Sequence, residues 1–437
     1  MKPHKITLYV YNVGFGDCFL LCFHYQRGGD RYVLIDFGTT AAPKGFSKER
    51  GSRLLADIAE DIRIRCGKAG LTAVVATHRH RDHISGFATS KDGKGPGDII
   101  RNLKPKVVIQ PWTEDPKAPV DALSPVQDPG RAQAFLQSLQ DMQRVAEAIV
   151  QAAAPSNRSW LGKELRSRLA FLGEDNLANE SAVKNLMTMG LKQYYVYFQS
   201  RSGLERLLPG VKVHVLGPPT LRQSDAIRSQ RSRDPDEFWH FHRYWGFQAR
   251  AAEHEMRAVK LFQAETLSVE NAPVEMRWFC HRVRAIRGEQ LLNIVRELDR
   301  QLNNTSLILL FETGGKRLLF PGDAQIENWS YALEKLHEEG KLDLLAGVDL
   351  YKVGHHGSLN ATPKSLWSLF EKRGGEDKPE RLKTVLSTLP GKHGSERTGT
   401  EVPRKKLVEA LRQESELFST NAMKVRDGLC KVIEIPL

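Results

Sequence analysis

Ala76-Thr77-His78-Arg79-His80-Arg81-Asp82-His83-Ile84-Ser85-Gly86 follows directly on the apolar run Leu71 to Ala76. Three histidines and one aspartate fall within six residues at the tip of a predicted strand. Residues two apart in an extended segment point the same way, so His78 and His80 are placed to grip one ion. Asp82 and His83 come where the chain turns and can face a second ion beside the first. Imidazole with carboxylate suits Zn²⁺ and other borderline divalent metals. With 14 histidines in 437 residues, chance placement of this spacing on a strand tip is improbable.

The H-x-H-x-D-H pattern resembles the signature of the metallo-β-lactamase fold superfamily. Within it, the soluble hydrolase domain of the ComEC competence proteins is the nearest likeness. Val13-Gly14-Phe15-Gly16-Asp17 and Ile35-Asp36-Phe37-Gly38 resemble the opening turns of that domain. Glycine there allows positive φ and close backbone approach, and lets Asp17 or Asp36 hydrogen-bond the metal loop.

The resemblance extends to the second half of the chain. Pro321-Gly322-Asp323 ends an apolar strand and resembles the family's bridging aspartate, which offsets the repulsion of two cations. Gly354-His355-His356-Gly357-Ser358 is close to the last metal motif of ComEC-type domains. His355 is the preferred ligand of the pair, with His356 set to contact a phosphate oxygen or the leaving group. Lys352 and Ser358 are expected as nearby donors. Asn303-Asn304 stands where many family members complete the first site with histidine, so Asn304 is a weaker ligand there and Mn²⁺ becomes plausible. His80, where ComEC relatives often carry an acid, pulls back toward zinc. By the same likeness Thr388, Lys392 and His393 are substrate-loop candidates, and His393 joins Asp82, Asp323 and His356 as catalytic candidates.

Around these motifs the chain alternates strands and helices, as the family's four-layered αββα sandwich implies. Strand patterns open at Ile6 and Arg31, helical spacing runs from Glu49 to Lys68, and further strands begin near Lys104, Lys192, Leu208, Leu307 and Arg381. We expect one domain over residues 1–437, with a helical lid inserted at about 113–190 and a second helical insertion at about 221–300. The second carries Phe238-Trp239-His240-Phe241-His242-Arg243-Tyr244-Trp245, a cluster able to stack bases or to anchor the insertion on the core.

The composition, 41% hydrophobic and 27% charged, is that of a chain able to bury a sizeable core. No apolar run approaches the roughly 18 residues of a membrane span. The N-terminus has no signal-peptide pattern, which predicts a cytoplasmic protein. Five scattered cysteines predict reduced thiols, with Cys18 and Cys22 in the core. A net charge of +12 favours polyanionic partners, DNA above all. The implied activity is hydrolysis by metal-activated water at two divalent ions, Zn²⁺ or Mn²⁺. A DNA phosphodiesterase or nuclease is the first reading. The alternatives are a hydrolase of a nucleotide, phosphonate ester or lactone, and a non-catalytic metal-binding regulatory module.

Overall fold

The computed structural model describes residues 1–115, 180–220, 223–224, 303, 305–358, 362–394 and 401–437. All of them lie in one of the two units into which the chain divides. The other unit, residues 130–177 and 231–301, is outside the described residues. Most of both expected insertions, including the aromatic cluster at 238–245, therefore falls outside them.

The described residues form a mixed α/β structure with two sheets. The first is built from β1 (Lys5–Tyr11), β2 (Cys18–His24), β3 (Arg31–Phe37), β4 (Ala73–Val75), β5 (Val107–Pro111), β6 (Lys192–Val196) and β13 (Cys430–Pro436), in the order β13-β1-β2-β3-β4-β5-β6. The second comprises β7 (Lys212–Gly217), β8 (Ile308–Thr313), β9 (Lys316–Phe320), β10 (Leu350–Lys352), β11 (Lys383–Leu386) and β12 (Glu416–Ser419), in the order β12-β11-β10-β9-β8-β7. Short turns join the antiparallel hairpins β1–β2–β3 and β8–β9, whereas β3 to β6 and β9 to β12 run parallel and need crossovers.

Helices supply those crossovers. Helix α1 (Lys48–Cys66) connects β3 to β4, and α3 (Pro96–Asn102) connects β4 to β5. The one-turn α2 (Arg81–Ile84) sits between them in the histidine loop. The expected helix over Glu49–Lys68 forms because Leu54, Ile58 and Ile62 recur on one face, which is buried, and Ser47 Oγ caps its first turn through Arg50 N at 3.2 Å. Helix α4 (Glu180–Met189) buries Ala182, Leu186 and Met189 in the same cluster as the α1 face. Its Asn185 Nδ2 donates to Phe87 O at 2.8 Å and Gly97 O at 3.0 Å. This end of the expected lid is therefore packed onto the first sheet's helices.

In the other half, α5 (Ile326–Glu338) and α6 (Asp343–Ala346) lead from β9 to β10. Helix α7 (Lys364–Leu369) leads to β11 and α8 (Lys405–Glu414) to β12. Alternation along each strand sorts side chains into separate cores. Ile6, Leu8, Phe19, Leu21 and Val33 share one cluster with Leu309, Phe311, Phe320 and Leu350, so this core draws on both sheets. The ring pairs Phe19–Phe320 and Phe23–Phe311, 5.9 and 6.0 Å between centroids, tie those two sheets together. A second cluster joins the first sheet to α1 and α4, and a third joins the second sheet to α5, α7 and α8.

The parallel strands fix where chemistry can occur. Asp36 lies at the carboxyl end of β3, and the histidine loop follows β4. Asp323 follows β9, His355 and His356 follow β10, and Thr388 follows β11. Open α/β sheets place their sites at this edge.

Candidate metal centre

Close backbone approach shapes the histidine loop. A Cβ at Gly38 would come within 2.6 Å of Arg81 O, and one at Gly16 (φ +148°) within 2.6 Å of Asp82 O, so only glycine fits at either position. Asp17 N donates to Asp82 O at 3.0 Å, and Gly38 N donates to Asp17 O at 3.0 Å. Thr77 N and Thr77 Oγ1 each donate to the Asp36 carboxylate at 2.7 Å. Between the two leading histidines, Arg79 turns away and makes a two-pronged pair with the buried Glu114, at 2.9 and 2.6 Å. Such fork-to-carboxylate pairing fixes direction as well as charge, leaving His78 and His80 on the opposite side of the loop.

Four side chains from three loops then meet. Asp82 Oδ2 lies 2.9 Å from His356 Nε2, and His83 Nε2 lies 3.2 Å from Asp323 Oδ2. His356 Nε2 to Asp323 Oδ2 is 3.6 Å, and His83 Nε2 to Asp82 Oδ2 is 4.0 Å. Tetrahedral Zn²⁺ with ligands about 2.0–2.1 Å away separates neighbouring donors by about 3.3–3.4 Å, which these edges bracket.

The outward ring nitrogens are already held. His83 Nδ1 donates to Asp36 Oδ2 at 2.8 Å and His356 Nδ1 to Ser387 O at 3.0 Å, which aims both Nε2 atoms inward. His83 Nε2 is buried and, although 3.2 Å from Asp323 Oδ2, makes no well-aligned hydrogen bond with a described residue. A buried, unsatisfied nitrogen facing two carboxylates fits a cation. His78 and His80 sit alongside as a pair: His78 Nε2 is 2.9 Å from His80 Nδ1, and the His78 ring is 4.1 Å from that of His83.

The geometry reverses the preference between the adjacent histidines. His356, fully buried, occupies a corner of the quartet. His355 is 27% exposed, with its Nε2 4.0 Å from Asp323 Oδ2. Both residues adopt left-handed backbone angles, φ 42° and 51°, and Asp36 has φ 53°. Each non-glycine residue there stores roughly 1–3 kcal/mol of strain, which the surrounding bonds must hold. For this turn His355 N donates to Asp323 Oδ1 at 3.1 Å.

Lys352 also departs from expectation. Its Nζ is buried, 2.5 Å from Asp17 Oδ2 and 3.3 Å from Asp323 Oδ1, and it donates to Gly322 O at 2.9 Å. It is a buried internal counter-ion to Asp17 and Asp323. Asp17 and Asp36 stand behind His83, with Asp17 Oδ2 3.6 Å from His83 Nδ1.

Of the remaining candidates, Ser358 follows the His355–His356 turn with its Oγ buried and unpartnered among the described residues. Thr388 is buried, and its backbone N donates to Thr420 Oγ1 at 3.1 Å. The His393 ring lies 4.1 Å from that of Phe15, and Lys392 beside it is partly exposed. Asn304 lies outside the described residues. Its neighbour Asn303 is fully buried, and neither polar atom of its amide has a partner among the described residues. Leu307 N donates to Thr77 O at 2.9 Å, which sets the turn carrying Asn303 against the histidine loop.

Three contributors were missed in the sequence. Phe15 lies against both His356 and His393, at 4.4 and 4.1 Å. Ser387 aims His356 through its carbonyl, and Glu114 anchors Arg79. Phe15 could have been found from its place inside the Gly14–Asp17 turn. A backbone carbonyl carries no signal in residue identity.

Charge in the quartet is tightly balanced. Burial opposes the charge of Asp82, but His83 and the His356 hydrogen bond outweigh it and hold the carboxyl well below its usual range. Burial likewise opposes charge on His83 and His356. The carboxylates around them, Asp323 foremost, win and raise both above the ordinary 6.5. Burial, followed by the neighbouring His83 and His80, pushes His78 well below that value.

A cation taking the Nε2 atoms of His83 and His356 must displace their protons. Affinity for Zn²⁺ is therefore expected to rise with pH above 6.5, with protons released on binding. Calorimetry in two buffers of different ionisation heat checks this, and affinity independent of pH would contradict it. The sign for stability follows. Histidine pKa values raised by folding stabilise the metal-free protein below about 6.5, and that gain is lost as pH climbs through the raised values.

The model of the metallo-beta-lactamase superfamily matches residues 11–144. That span takes in Asp17, Asp36 and the whole histidine loop, whereas Asp323 and His356 lie beyond it. No curated protein matches the chain. The match and the His/Asp quartet together point to a metal-dependent hydrolase.

Proposed function

We propose that the protein is a phosphodiesterase that hydrolyses DNA, using two divalent cations, Zn²⁺ or Mn²⁺. Asp82, His83, Asp323 and His356 hold one, and His78 with His80 holds the other. In this reading the two sheets and their helices make an αββα sandwich, residues 1–437 act as one domain with two insertions, and the protein works in the cytoplasm. The observation that carries the hydrolase assignment is the buried quartet with its unsatisfied His83 Nε2. The DNA assignment draws support from the net charge of +12 and from the ComEC-like form of the His355–Ser358 motif.

Bound divalent cations supply Lewis-acid chemistry, making water acidic near neutral pH and offsetting charge that builds on phosphoryl oxygens. The chain's own groups do the rest. Asp82, kept ionised by His83 and His356, is placed to orient a water and accept its proton. Lys352 and His355 N fix the Oδ1 side of Asp323, so that Oδ2 alone faces the quartet. His393 is held by burial at a pKa of about 4, so at neutral pH its ring is uncharged and can hydrogen-bond a phosphoryl oxygen.

Protein supplied with Mn²⁺ or Zn²⁺ should cut plasmid and single-stranded DNA. Asp82→Ala should lower the rate by at least about 100-fold, the scale at which losing one charge-stabilising group acts. Turnover confined to small esters would replace DNA with a small-molecule substrate. Inertness with metal bound would remove the catalytic reading.

A further inference from the structure

A second group of metal-type donors lies on the first sheet, well away from the quartet. Cys22 and His24 are two apart on β2 and so share a face, and Asp30 precedes β3 across the hairpin. At about 3.3 Å per residue, His24 lies roughly 20 Å along the strand from Asp17. Cys22 Sγ is 3.6 Å from His24 Nδ1 and 3.7 Å from Asp30 Oδ2, and His24 Nδ1 is 2.9 Å from Asp30 Oδ2.

A nucleophilic triad does not fit these contacts. Thiol and carboxylate meet the same ring nitrogen, whereas a triad uses opposite ones. Burial, with the charge of Asp30 beside it, also raises the Cys22 thiol above its ordinary 9.0, which keeps a free thiolate from forming.

Metal coordination does fit. Tetrahedral Zn²⁺ with Zn–S about 2.3 Å and Zn–N or Zn–O about 2.0–2.2 Å separates sulfur from either neighbour by about 3.6 Å. The two sulfur edges already have that length. The nitrogen–oxygen edge is short of the roughly 3.4 Å expected, by an amount a small turn of the Asp30 carboxylate makes up. His24 Nε2 is 2.8 Å from the buried Thr7 Oγ1, which stands opposite Cys22 on β1. A hydroxyl both donates and accepts, so Thr7 can orient the ring while Nδ1 faces a cation. Cys22 and Thr7 close the inner side, while His24 and Asp30 are 20% and 33% exposed and leave one side open to solvent.

We propose that Cys22, His24 and Asp30 form a separate metal site for a Zn²⁺-class cation, with solvent at the fourth position. Binding replaces the Sγ proton of Cys22 and any proton on His24 Nδ1, and these leave to water. No electron is transferred. The cation would clip β2 to the start of β3 across the Tyr25–Asp30 hairpin.

Cobalt(II) gives a direct test, because only sulfur ligation produces a thiolate-to-cobalt charge-transfer band and the quartet holds no sulfur. Full-length protein stripped by chelation and titrated with Co²⁺ should show that band. It should vanish in Cys22→Ser, and Asp30→Asn, at a partly exposed position, should weaken Co²⁺ binding there at least about 10-fold. Asp82→Ala should leave the band intact. Absence of the band in the native chain, an undiminished band in Cys22→Ser, or undiminished Co²⁺ binding at this site in Asp30→Asn overturns the proposal.

Discussion

Replacing Lys352 with methionine is expected to destabilise the metal-loaded protein by about 3–5 kcal/mol, the cost of leaving a buried charge without its partner. Lys352 is almost fully enclosed, and its Nζ serves Asp17, Asp323 and the Gly322 carbonyl at once. Methionine keeps most of the volume but leaves Asp17 facing Asp323 with no cation between them. A metal in the quartet offsets Asp323 through Oδ2 and does little for Asp17.

The pH dependence distinguishes this from a packing defect. Burial opposes the charge of Asp323, but His83 and then Lys352 outweigh it and hold its pKa well below the ordinary 3.8. A depressed carboxyl contributes stability above its unfolded value and loses it as pH falls through the folded one. The gap between native and variant protein should therefore be widest at neutral pH and narrow in acid. Urea denaturation over that range measures it. A gap below about 1 kcal/mol at pH 7, within the scale of an exposed pair, would show that Lys352 is not the counter-ion described.

Lys352 also shows how far the sequence could be read. The motif next to it suggested a donor for substrate, but strand alternation argues otherwise. Leu350 lies in the core shared by both sheets and Tyr351 in the core under the helices. Two residues on from Leu350, Lys352 must point toward the first sheet, where Asp17 waits. The same argument places Cys22 beside His24, although an apolar strand favoured reading Cys22 as an inert core thiol. Most of the strands and the first helix were legible because apolar periodicity is local. The choice between His355 and His356 was not, because two left-handed residues in succession send adjacent rings in directions that spacing does not encode. Helix α4 falls at the end of the expected helical lid, but its docking on Phe87 and Gly97 depends on residues some 90 positions earlier.

The central claim is that His356, with Asp82, His83 and Asp323, holds a divalent cation. Zn²⁺ bound per chain and its affinity, measured for native protein, His356→Ala and His355→Ala, test it most directly. Differences from the native chain cancel any ion bound elsewhere. Removing His356 should cost one ion per chain or at least about 100-fold in affinity, because it removes a ligand and not merely its support. His355→Ala should match the native protein. Native binding in His356→Ala, or loss in His355→Ala alone, would contradict the account.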